Sequence, residues 1–309
     1  MTPVQPLRVL AVNFFAPLLL TLLLCASSLR SAAQENRGKN WIAVQQAIGR
    51  PGQLQPGDVI KFGMPRRDLH VIVGITTLKP ALALGSWVAF KETRRGAMVM
   101  GDLVLTEDEL GPVMAKLQED GIEISAVHNH LIGESPRLIY MHIASHGDQV
   151  KMAQGLHDAL GLTKTPGPDT AAATQGQPLQ GIDQKRVEDL LGLSGQVNGG
   201  VLQFSEPRAE VITDHATIIP AAMGVATAIN FQPTDSGRAA ITGDFVLLAK
   251  EVNPVIKALS GNGIAVTAIH SHMLNEQPRL FFMHFWANDD ALKLAKGLRM
   301  ALDLTNSQK

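Results

Sequence analysis

The sequence predicts an α+β protein made of two tandem copies of one unit, each an antiparallel sheet covered by helices. Three observations predict this fold class: an internal repeat, alternating strand and helix patterns, and a composition that supports a folded core. The chain has 309 residues, of which 45% are hydrophobic and 18% charged, so it is long enough for two ordinary domains. Lys and Arg number 27 and Asp and Glu 28, which argues against a nucleic-acid binder with a broad basic surface.

The repeat is visible within the sequence itself. Residues 98–163 align without a gap with residues 240–305, at an offset of 142, and 28 of the 66 positions are identical. Such a long period indicates two domains rather than a solenoid. We assign copy one to residues 38–163 and copy two to residues 182–305. Residues 164–181, rich in Pro, Gly, Thr and Gln, predict a flexible linker.

Each copy shows the element order β-β-α-β-β-α, which is typical of an antiparallel sheet covered by helices. In copy one the capping-box spacing of Thr106 and Glu109 predicts the start of the first helix in this order. Strands are predicted over residues 122–130 and 137–144, and Asp148 is placed to cap the last helix. The duplication predicts a pseudo-twofold relation between the copies.

The N-terminal segment has the pattern of an export signal. Residues 1–33 contain no Asp, Glu or Lys, and an apolar run from Val9 to Leu24 precedes small residues at positions 31–33. This pattern is typical of a secretory signal peptide, with a retained transmembrane anchor as the alternative. We therefore expect a periplasmic or secreted protein. Cys25, the single Cys of the chain, lies in this segment, and a membrane partner is expected only if Cys25 is lipidated.

Six of the ten histidines recur at three repeated positions. They are His128, His130 and His142 in copy one and His270, His272 and His284 in copy two. Residues two apart on a strand project from the same face, so His128 and His130 offer two imidazoles to one metal ion. Whether His142 shares this face depends on the strand register, which the sequence leaves open. A hydrogen-bonded histidine network with a purely structural role is the alternative.

Four further repeated residues have predicted catalytic roles. Glu134 and Glu276 follow the histidine pairs and are placed to act as metal ligand or general base. Arg137 and Arg279 are placed to bind an anionic group of a substrate. A salt bridge between the Glu and the Arg of each copy is the alternative.

Two repeated aspartates and four unmatched histidines complete the candidates. Asp102 and Asp244 are interpreted as turn or bulge residues, with orientation of a ligand imidazole as the second interpretation. His70, His157 and His215 are expected at the surface or in packing contacts, and His146, which corresponds to Asn288 in copy two, is not expected to have a role common to both copies.

Several segments carry a family resemblance: GDLVLTEDEL, HNHLIGESPR, GVATAINFQPT, AITGDF and HSHMLNEQPRLFFMHFWANDDALKLAKGLR. With these motifs the chain resembles the LppY/LpqO family of bacterial envelope proteins, a domain of unknown function present twice per chain, over residues 38–305. The resemblance implies an exported protein with two copies of the domain, and some relatives are lipoproteins. It supplies no activity and no catalytic residues.

We expect an exported enzyme, a divalent-metal-dependent hydrolase that acts on a small ester, lactone or amide. In this hypothesis each three-histidine set holds a divalent ion, zinc first, with manganese or iron as alternatives. The alternative is a non-catalytic periplasmic protein that binds a metal or small ligand, in two similar pockets or in one pocket between the copies. The spacing H-x-H-x-x-x-E also resembles a metal motif of cupins, so a cupin-like dioxygenase or isomerase is the third hypothesis. The residues predict no oligomeric state.

Overall fold

Each repeat folds into one six-stranded antiparallel sheet with helices on one face, as the sequence predicts. The computed structural model describes residues 41–94, 96–168 and 179–308. The predicted signal peptide and Cys25 lie outside the described residues, as do residues 169–178 of the predicted linker. No helix in the described ranges is long and apolar enough to span a bilayer.

The elements of the first repeat, among the described residues, are four helices and nine strands. The helices are α1 (Ile42–Ile48), α2 (Pro80–Ala83), α3 (Glu107–Glu119) and α4 (Gln149–Leu160). The strands are β1 (Gln53–Gln55), β2 (Val59–Pro65), β3 (Ile72–Val73), β4 (Thr76–Thr77), β5 (Gly85–Thr93), β6 (Gly96–Thr106), β7 (Ile124–His128), β8 (Glu134–Ser135) and β9 (Leu138–Gly147).

The second repeat follows the same order over its described part. Its helices are α5 (Gln184–Leu191), α6 (Ala249–Gly261), α7 (Ala291–Leu302) and a 3-10 turn (Ala221–Met223). Its strands are β10 (Gln196–Asn198), β11 (Val201–Pro207), β12 (Thr213–Asp214), β13 (Thr217–Ile218), β14 (Ala226–Pro233), β15 (Arg238–Leu247), β16 (Ala265–His270) and β17 (Phe281–Asp290).

The two sheets have equivalent strand orders. The first is β1-β2-β5-β6-β9-β7 and the second is β10-β11-β14-β15-β17-β16. The β-β-α-β-β-α order predicted for each copy is therefore confirmed: in copy one it is β5, β6, α3, β7, β9 and α4. Asp148 caps α4 as predicted, because its carboxylate accepts hydrogen bonds from the N–H groups of Val150 and Lys151.

The central strands are buried on both faces. In β6 every residue from Ala97 to Leu105 is buried, because one face packs on helices and the other faces the opposite sheet. Met100 and Val104 lie on the inner face, in core clusters that also contain residues of the second repeat, such as Val246 and Ala240. The described residues after position 42 thus form one compact unit with the layer order helices, sheet, sheet, helices.

A buried ion pair anchors the first long helix of each repeat to its sheet. The Arg66 guanidinium, 0% exposed, lies 2.7 Å from the Glu109 carboxylate and also binds Asp68. Arg208 makes the equivalent contact of 2.7 Å with Glu251. Each arginine also donates a hydrogen bond to a backbone carbonyl of a central strand, that of Val104 in β6 or of Val246 in β15. A bidentate pair of this kind satisfies charges that burial would otherwise destabilise.

Candidate metal centre

The strand register places three polar side chains of the first repeat on one inner face. Asp102 in β6 lies opposite His142 in β9, and Ala126 in β7 lies opposite the other edge of His142. His128 follows Ala126 by two residues and therefore projects to the same side of the sheet. The register that the sequence leaves open thus brings His142 onto the face of His128. Asp102, interpreted from sequence as a turn or bulge residue, is instead a regular mid-strand residue on that face.

The second repeat repeats this register. Asp244 in β15 lies opposite His284 in β17, and Ala268 in β16 lies opposite His284 on its other side. His270, two residues after Ala268, shares their face. The turn or bulge interpretation of Asp244 is wrong for the same reason as that of Asp102, since the chain runs straight through both positions in the middle of a paired strand.

A β-bulge on each histidine-bearing edge strand connects the two repeats. Ser125 in β7 and Thr267 in β16 are left out of the pairing with the neighbouring strand. The Ser125 hydroxyl donates a hydrogen bond of 2.5 Å to the carbonyl of His272, and the Thr267 hydroxyl donates one of 2.6 Å to the carbonyl of His130. A bulge redirects the side chain of its unpaired residue. Each hydroxyl therefore binds the loop after the edge strand of the other repeat, the loop that contains His130 or His272.

The six repeated histidines meet in a single cluster between the sheets. Three pairs of imidazole rings, each with one ring from either repeat, lie with short centroid distances. They are His128 and His270 at 3.5 Å, His130 and His284 at 3.7 Å, and His142 and His272 at 3.9 Å. The expectation of a separate three-histidine set in each copy is therefore corrected: the pseudo-twofold relation brings both sets to the same place. We call these six residues, with Asp102 and Asp244, the histidine cluster.

Aromatic rings close the cluster on two sides. Tyr140 lies on His130 with a centroid distance of 3.4 Å, and Phe282 lies on His272 at 3.5 Å. The Tyr140 hydroxyl donates a hydrogen bond to the carbonyl of Ala83 at 2.9 Å. These rings reduce the access of water to the imidazoles. Both are part of the site, since Tyr140 pairs with His128 and Phe282 pairs with His270 on neighbouring strands.

Burial keeps most of the imidazoles neutral. It lowers the pKa of His128 to about 3, and repulsion from His284 adds to the effect. Burial is also the largest cause of the lowered pKa values of His130, His142, His270 and His284. Neutral imidazole is the form that binds a metal ion.

The two aspartates respond to the cluster in opposite directions. Asp102 lies 3.5 Å from His130, and burial together with the charge of Asp244 raises its pKa well above the ordinary value. Burial also opposes the ionisation of Asp244, but His284 and His272, the latter 3.1 Å away, favour its carboxylate and lower its pKa. In this pseudo-symmetric pair Asp102 therefore holds a proton more readily than Asp244.

The cluster contains buried polar atoms without hydrogen-bond partners among the described residues. They are His130 Nε2, both ring nitrogens of His270, His272 Nε2, His284 Nε2, and Oδ1 of both Asp102 and Asp244. Each such atom destabilises a fold by about 1–3 kcal/mol unless something binds it. Four overlapping sets of three residues have ligand atoms within 4.8 Å of one another: His128, His130 and His284; His128, His142 and His270; Asp102, His130 and His142; and Asp244, His270 and His284. Imidazole nitrogen and carboxylate oxygen suit zinc and similar divalent ions, so this donor set fits a metal ion.

The two repeated glutamates and arginines lie in other contacts. The Glu276 side chain, 0% exposed, pairs with Arg279 at 3.1 Å and accepts a hydrogen bond from the Leu280 N–H. Glu134 accepts from the Leu138 N–H at 3.4 Å, and Arg137 is exposed, 3.9 Å from Glu107. None of the ligand sets in the described ranges contains either glutamate. The structure thus brings the six predicted histidines together but leaves Glu134, Arg137, Glu276 and Arg279 in contacts that position the loops after the histidines.

Two of the unmatched histidines come together away from the cluster. His146 donates a hydrogen bond of 3.1 Å to the Asp214 carboxylate, and the ring of His215 lies 5.4 Å from that of His146. Both residues are exposed, as expected for His215, and they line a cavity of about 1070 Å³. His157 does pack, since its ring contacts Ile48, and His70 is exposed as expected.

A second cavity reaches the histidine cluster itself. It has a volume of about 890 Å³ and lies between the inner faces of the two sheets. Asp102, His130, Asp244 and His284 form its end at the cluster. A small molecule in this cavity would therefore contact the candidate ligands directly.

Comparisons with known proteins support the duplication. A family model described as Domain of Unknown Function (DUF1259) matches residues 42–162 and again residues 185–304. The predicted duplicated domain of unknown function is confirmed by these two matches. The narrower resemblance to the LppY/LpqO family stays a prediction. No curated protein shows significant similarity to the chain.

Two solved structures are distant matches. One is a trimeric bacterial microcompartment shell protein, PduB, with 14% identity, coverage of 82% of this chain and 93% of that chain, and a TM-score of 0.20. The other is EtuB from Clostridium kluyveri, with 10% identity, coverage of 82% and 90%, and a TM-score of 0.19. At these scores neither match bears on the arrangement of the site.

Proposed function

The chain belongs to the family described as Domain of Unknown Function (DUF1259), and we propose that it is a divalent-metal-dependent hydrolase with one metal centre shared by its two repeats. The observation that carries the proposal is the histidine cluster, in which buried nitrogen and oxygen atoms without partners meet at the end of a cavity. The three ligand sets without Asp102 name the residues that would hold the metal: His128, His130 and His284; His128, His142 and His270; and Asp244, His270 and His284. Zinc is the first choice, with manganese or iron as alternatives.

A divalent ion in such a site supplies Lewis-acid chemistry, which polarises a carbonyl and makes water a stronger acid. In this proposal, residues of the chain bind the substrate, exclude water and transfer protons. A small ester, lactone or amide would lie in the cavity beside the cluster, where the rings of Tyr140 and Phe282 would limit the access of other water. The proton-transfer role predicted for Glu134 and Glu276 passes in this proposal to Asp102 and Asp244, which lie at the end of the cavity.

The aspartates divide that role according to their pKa values. Asp244, the ionised carboxylate at the cavity, accepts a proton from the attacking water. The water oxygen bonds to the carbonyl carbon, and the bond from this carbon to the leaving oxygen or nitrogen breaks. Asp102, with the raised pKa, donates a proton to the leaving atom, so that the products are an acid and an alcohol or amine.

One observation favours a second candidate, a non-catalytic metal-binding protein. The cluster offers six imidazoles and two carboxylates within one pseudo-symmetric group. So many donors are enough to fill the coordination sphere of an ion, and closed sites are typical of structural rather than catalytic metals. Turnover separates the two candidates, because a closed site binds metal without hydrolysis.

The experiment uses the purified chain without residues 1–33, before and after chelation. We expect a divalent metal to co-purify, hydrolysis of a panel of small esters, lactones and amides, and loss of that hydrolysis with a chelator. The variant His128→Asn should lose metal and hydrolysis, whereas His70→Asn, at an exposed histidine, should keep both. A chain that binds no divalent metal contradicts both candidates, and a chain that binds metal without hydrolysing any member of the panel supports the second.

We also propose that residues 1–33 direct export to the bacterial envelope. The support is the sequence pattern of this segment, and the mass of the N-terminal peptide of the protein from its native cell tests it. A mature chain that begins near position 34 supports cleavage, whereas a mature chain that begins with acylated Cys25 would indicate a lipoprotein.

A further inference from the structure

The cavity at the histidine cluster breaks the pseudo-twofold symmetry of the protein. At equivalent places in the two sheets, Lys61 in β2 corresponds to Gln203 in β11, since they pair with the equivalent residues Ala89 and Asn230. All four of these strand positions belong to the two sheets that enclose the cavity. The first repeat therefore contributes a cation where the second contributes a neutral amide.

An aromatic ring accompanies the cation on the same wall. Trp87 lies opposite Asp102 in the first sheet, and Ala228 lies opposite Asp244 in the second. The ammonium of Lys61 lies 4.0 Å from the centre of the Trp87 ring. One wall of the cavity is thus cationic and aromatic, and the other has small or neutral side chains at the equivalent places.

The Lys61 ammonium retains binding capacity. It donates one hydrogen bond of 3.2 Å, to the carbonyl of Ala222, and an ammonium has three donors. Among the described residues no carboxylate lies within salt-bridge distance of it. A half-buried ammonium with spare donors at the side of a cavity is suited to bind an anion.

Neutral hydrogen-bonding groups line the opposite wall. Ser205, Asn230 and Thr242 of the second repeat face the cavity, and Gln203 lies beside them with its amide hydrogen-bonded to Ala81 and Asn198. Amides and hydroxyls that both donate and accept are suited to bind the hydroxyl groups of a ligand.

Glycines keep the cavity open beside Trp87. A Cβ added at Gly63 or at Gly85 would meet nothing within 4 Å, and both residues line the cavity. Gly63 lies opposite Trp87 in the sheet. A large side chain at Gly63 would therefore occupy cavity space without replacing any residue of the histidine cluster.

We propose that this cavity binds a small hydroxylated carboxylate, with the carboxylate on Lys61, the hydroxyls on the neutral wall and the rest of the molecule directed to the histidine cluster. The inference rests on the proposed function in one respect: it names the class of ester, lactone or amide that the hydrolase takes, one derived from a hydroxylated acid. A carboxylate is favoured over a phosphate dianion because Lys61 is a single ammonium, whereas phosphate sites typically combine several cationic or N–H donors.

The experiment measures binding rather than turnover, by calorimetry on the chain without residues 1–33. The probes are gluconate, sorbitol as its uncharged counterpart, and inorganic phosphate. We expect wild-type protein to bind gluconate at least tenfold more tightly than sorbitol or phosphate. Lys61→Gln, which reproduces the residue of the second repeat, should weaken gluconate binding at least tenfold and leave sorbitol binding unchanged. Lys91→Gln is the matched control, because Lys91 also donates to a backbone carbonyl but does not line the cavity.

A second variant and the metal content keep the outcomes distinct. Gly63→Leu should weaken the binding of gluconate and sorbitol alike, because it fills the space that both require. Equal affinities of wild-type protein for gluconate and sorbitol, tighter binding of phosphate, or no effect of Lys61→Gln would each overturn the inference. Metal content is measured in the same samples. If the chain takes up no metal but still binds gluconate in a way that depends on Lys61, this inference is upheld and the hydrolase proposal fails.

Discussion

His128 and His270 lie ring on ring, with centroids 3.5 Å apart, although 142 residues separate them in the chain. Each occupies the same position of its own repeat, so the contact lies at the pseudo-twofold relation between the two sheets. A metal site built at this contact draws ligands from both repeats at once, and the set of His128, His142 and His270 is one example. Both sets that contain His128 draw ligands from the two repeats, whereas the two sets that contain an aspartate lie within one repeat each.

The first prediction is that replacing the equivalent histidine in either repeat removes the metal from the shared site. His128→Asn and His270→Asn should each lower the metal content after dialysis by at least tenfold, and the double variant should add little to this loss. The reason is that both residues belong to one shared site. Metal analysis by mass spectrometry measures the content per chain, with His70→Asn as control. If each single variant retained half of the wild-type metal, the two repeats would hold separate ions.

The second prediction concerns pH and the stability of the chelated protein. Burial lowers the pKa of His128 to about 3 and also lowers the pKa of His130 and His142, whereas an unfolded histidine has a pKa of about 6.5. Below that value the unfolded chain binds more protons than the folded chain. The free energy of unfolding should therefore fall as the pH is lowered from 7 to 5, by about 1.4 kcal/mol per pH unit for each such proton.

Urea unfolding at several pH values in a chelator measures this slope. The raised pKa of Asp102 acts with the opposite sign, because a folded carboxyl group that binds a proton more readily is favoured by acid. The histidines outnumber it, so the net slope keeps its sign. His128→Asn should reduce the slope, and a stability that rises on acidification in this range would contradict the assignment of neutral buried imidazoles.

The third prediction addresses the buried ion pair of the first repeat. Glu109→Gln should lower the free energy of unfolding by about 3–5 kcal/mol, because it removes one partner of the fully buried Arg66 guanidinium. Urea unfolding measures the effect at neutral pH. Asp189→Asn is the control, since its ion pair with Lys185 is exposed and its loss should change little. A small effect of Glu109→Gln would mean that Asp68 alone compensates Arg66.

The fourth prediction tests the hydrogen bonds that cross between the repeats. Ser125→Ala and Thr267→Val remove the hydroxyls that bind the carbonyls of His272 and His130. Each hydrogen bond contributes about 0.5–1.5 kcal/mol, so we expect a several-fold rise in the Kd for metal in each variant. Competition with a chromophoric chelator measures this Kd. Unchanged metal affinity together with a lowered melting temperature would show that the bulges support the fold but not the site.

The sequence predicts the repeats, their element order and the six histidines, because these depend on local patterns and on comparison within the chain. It does not predict that the two histidine sets merge, since the packing of one sheet on the other involves no local signal. Asp102 and Asp244 illustrate the same limit. A Gly-Asp pair suggests a turn when it is considered alone. That Asp102 is a mid-strand residue becomes clear only from the pairing of β6 with β9. Arg66 and Arg208 recur at the repeat offset together with Glu109 and Glu251, and this signal was available for the buried ion pairs.

The last prediction separates the two aspartates, which the duplication makes equivalent in sequence. Asp244 favours its ionised form, whereas Asp102 favours its protonated form, because burial and the charge of Asp244 both oppose a second carboxylate there. Asp244→Asn removes an anionic ligand and should weaken metal binding at least tenfold. Asp102→Asn replaces a neutral carboxylic acid by a neutral amide, so metal affinity should stay within about threefold.

Hydrolysis should respond differently from binding. In the metal-loaded Asp102→Asn variant kcat should fall by about 10²–10⁴, the usual contribution of a positioned proton donor, while KM changes little. The comparison of kcat with metal content in both variants checks the assignment. Equal losses of metal in the two variants would mean that both carboxylates act as ligands, and full activity of Asp102→Asn would remove Asp102 from the reaction. The raised pKa of Asp102 would then be only a consequence of placing two carboxyl groups at the centre of a duplicated fold.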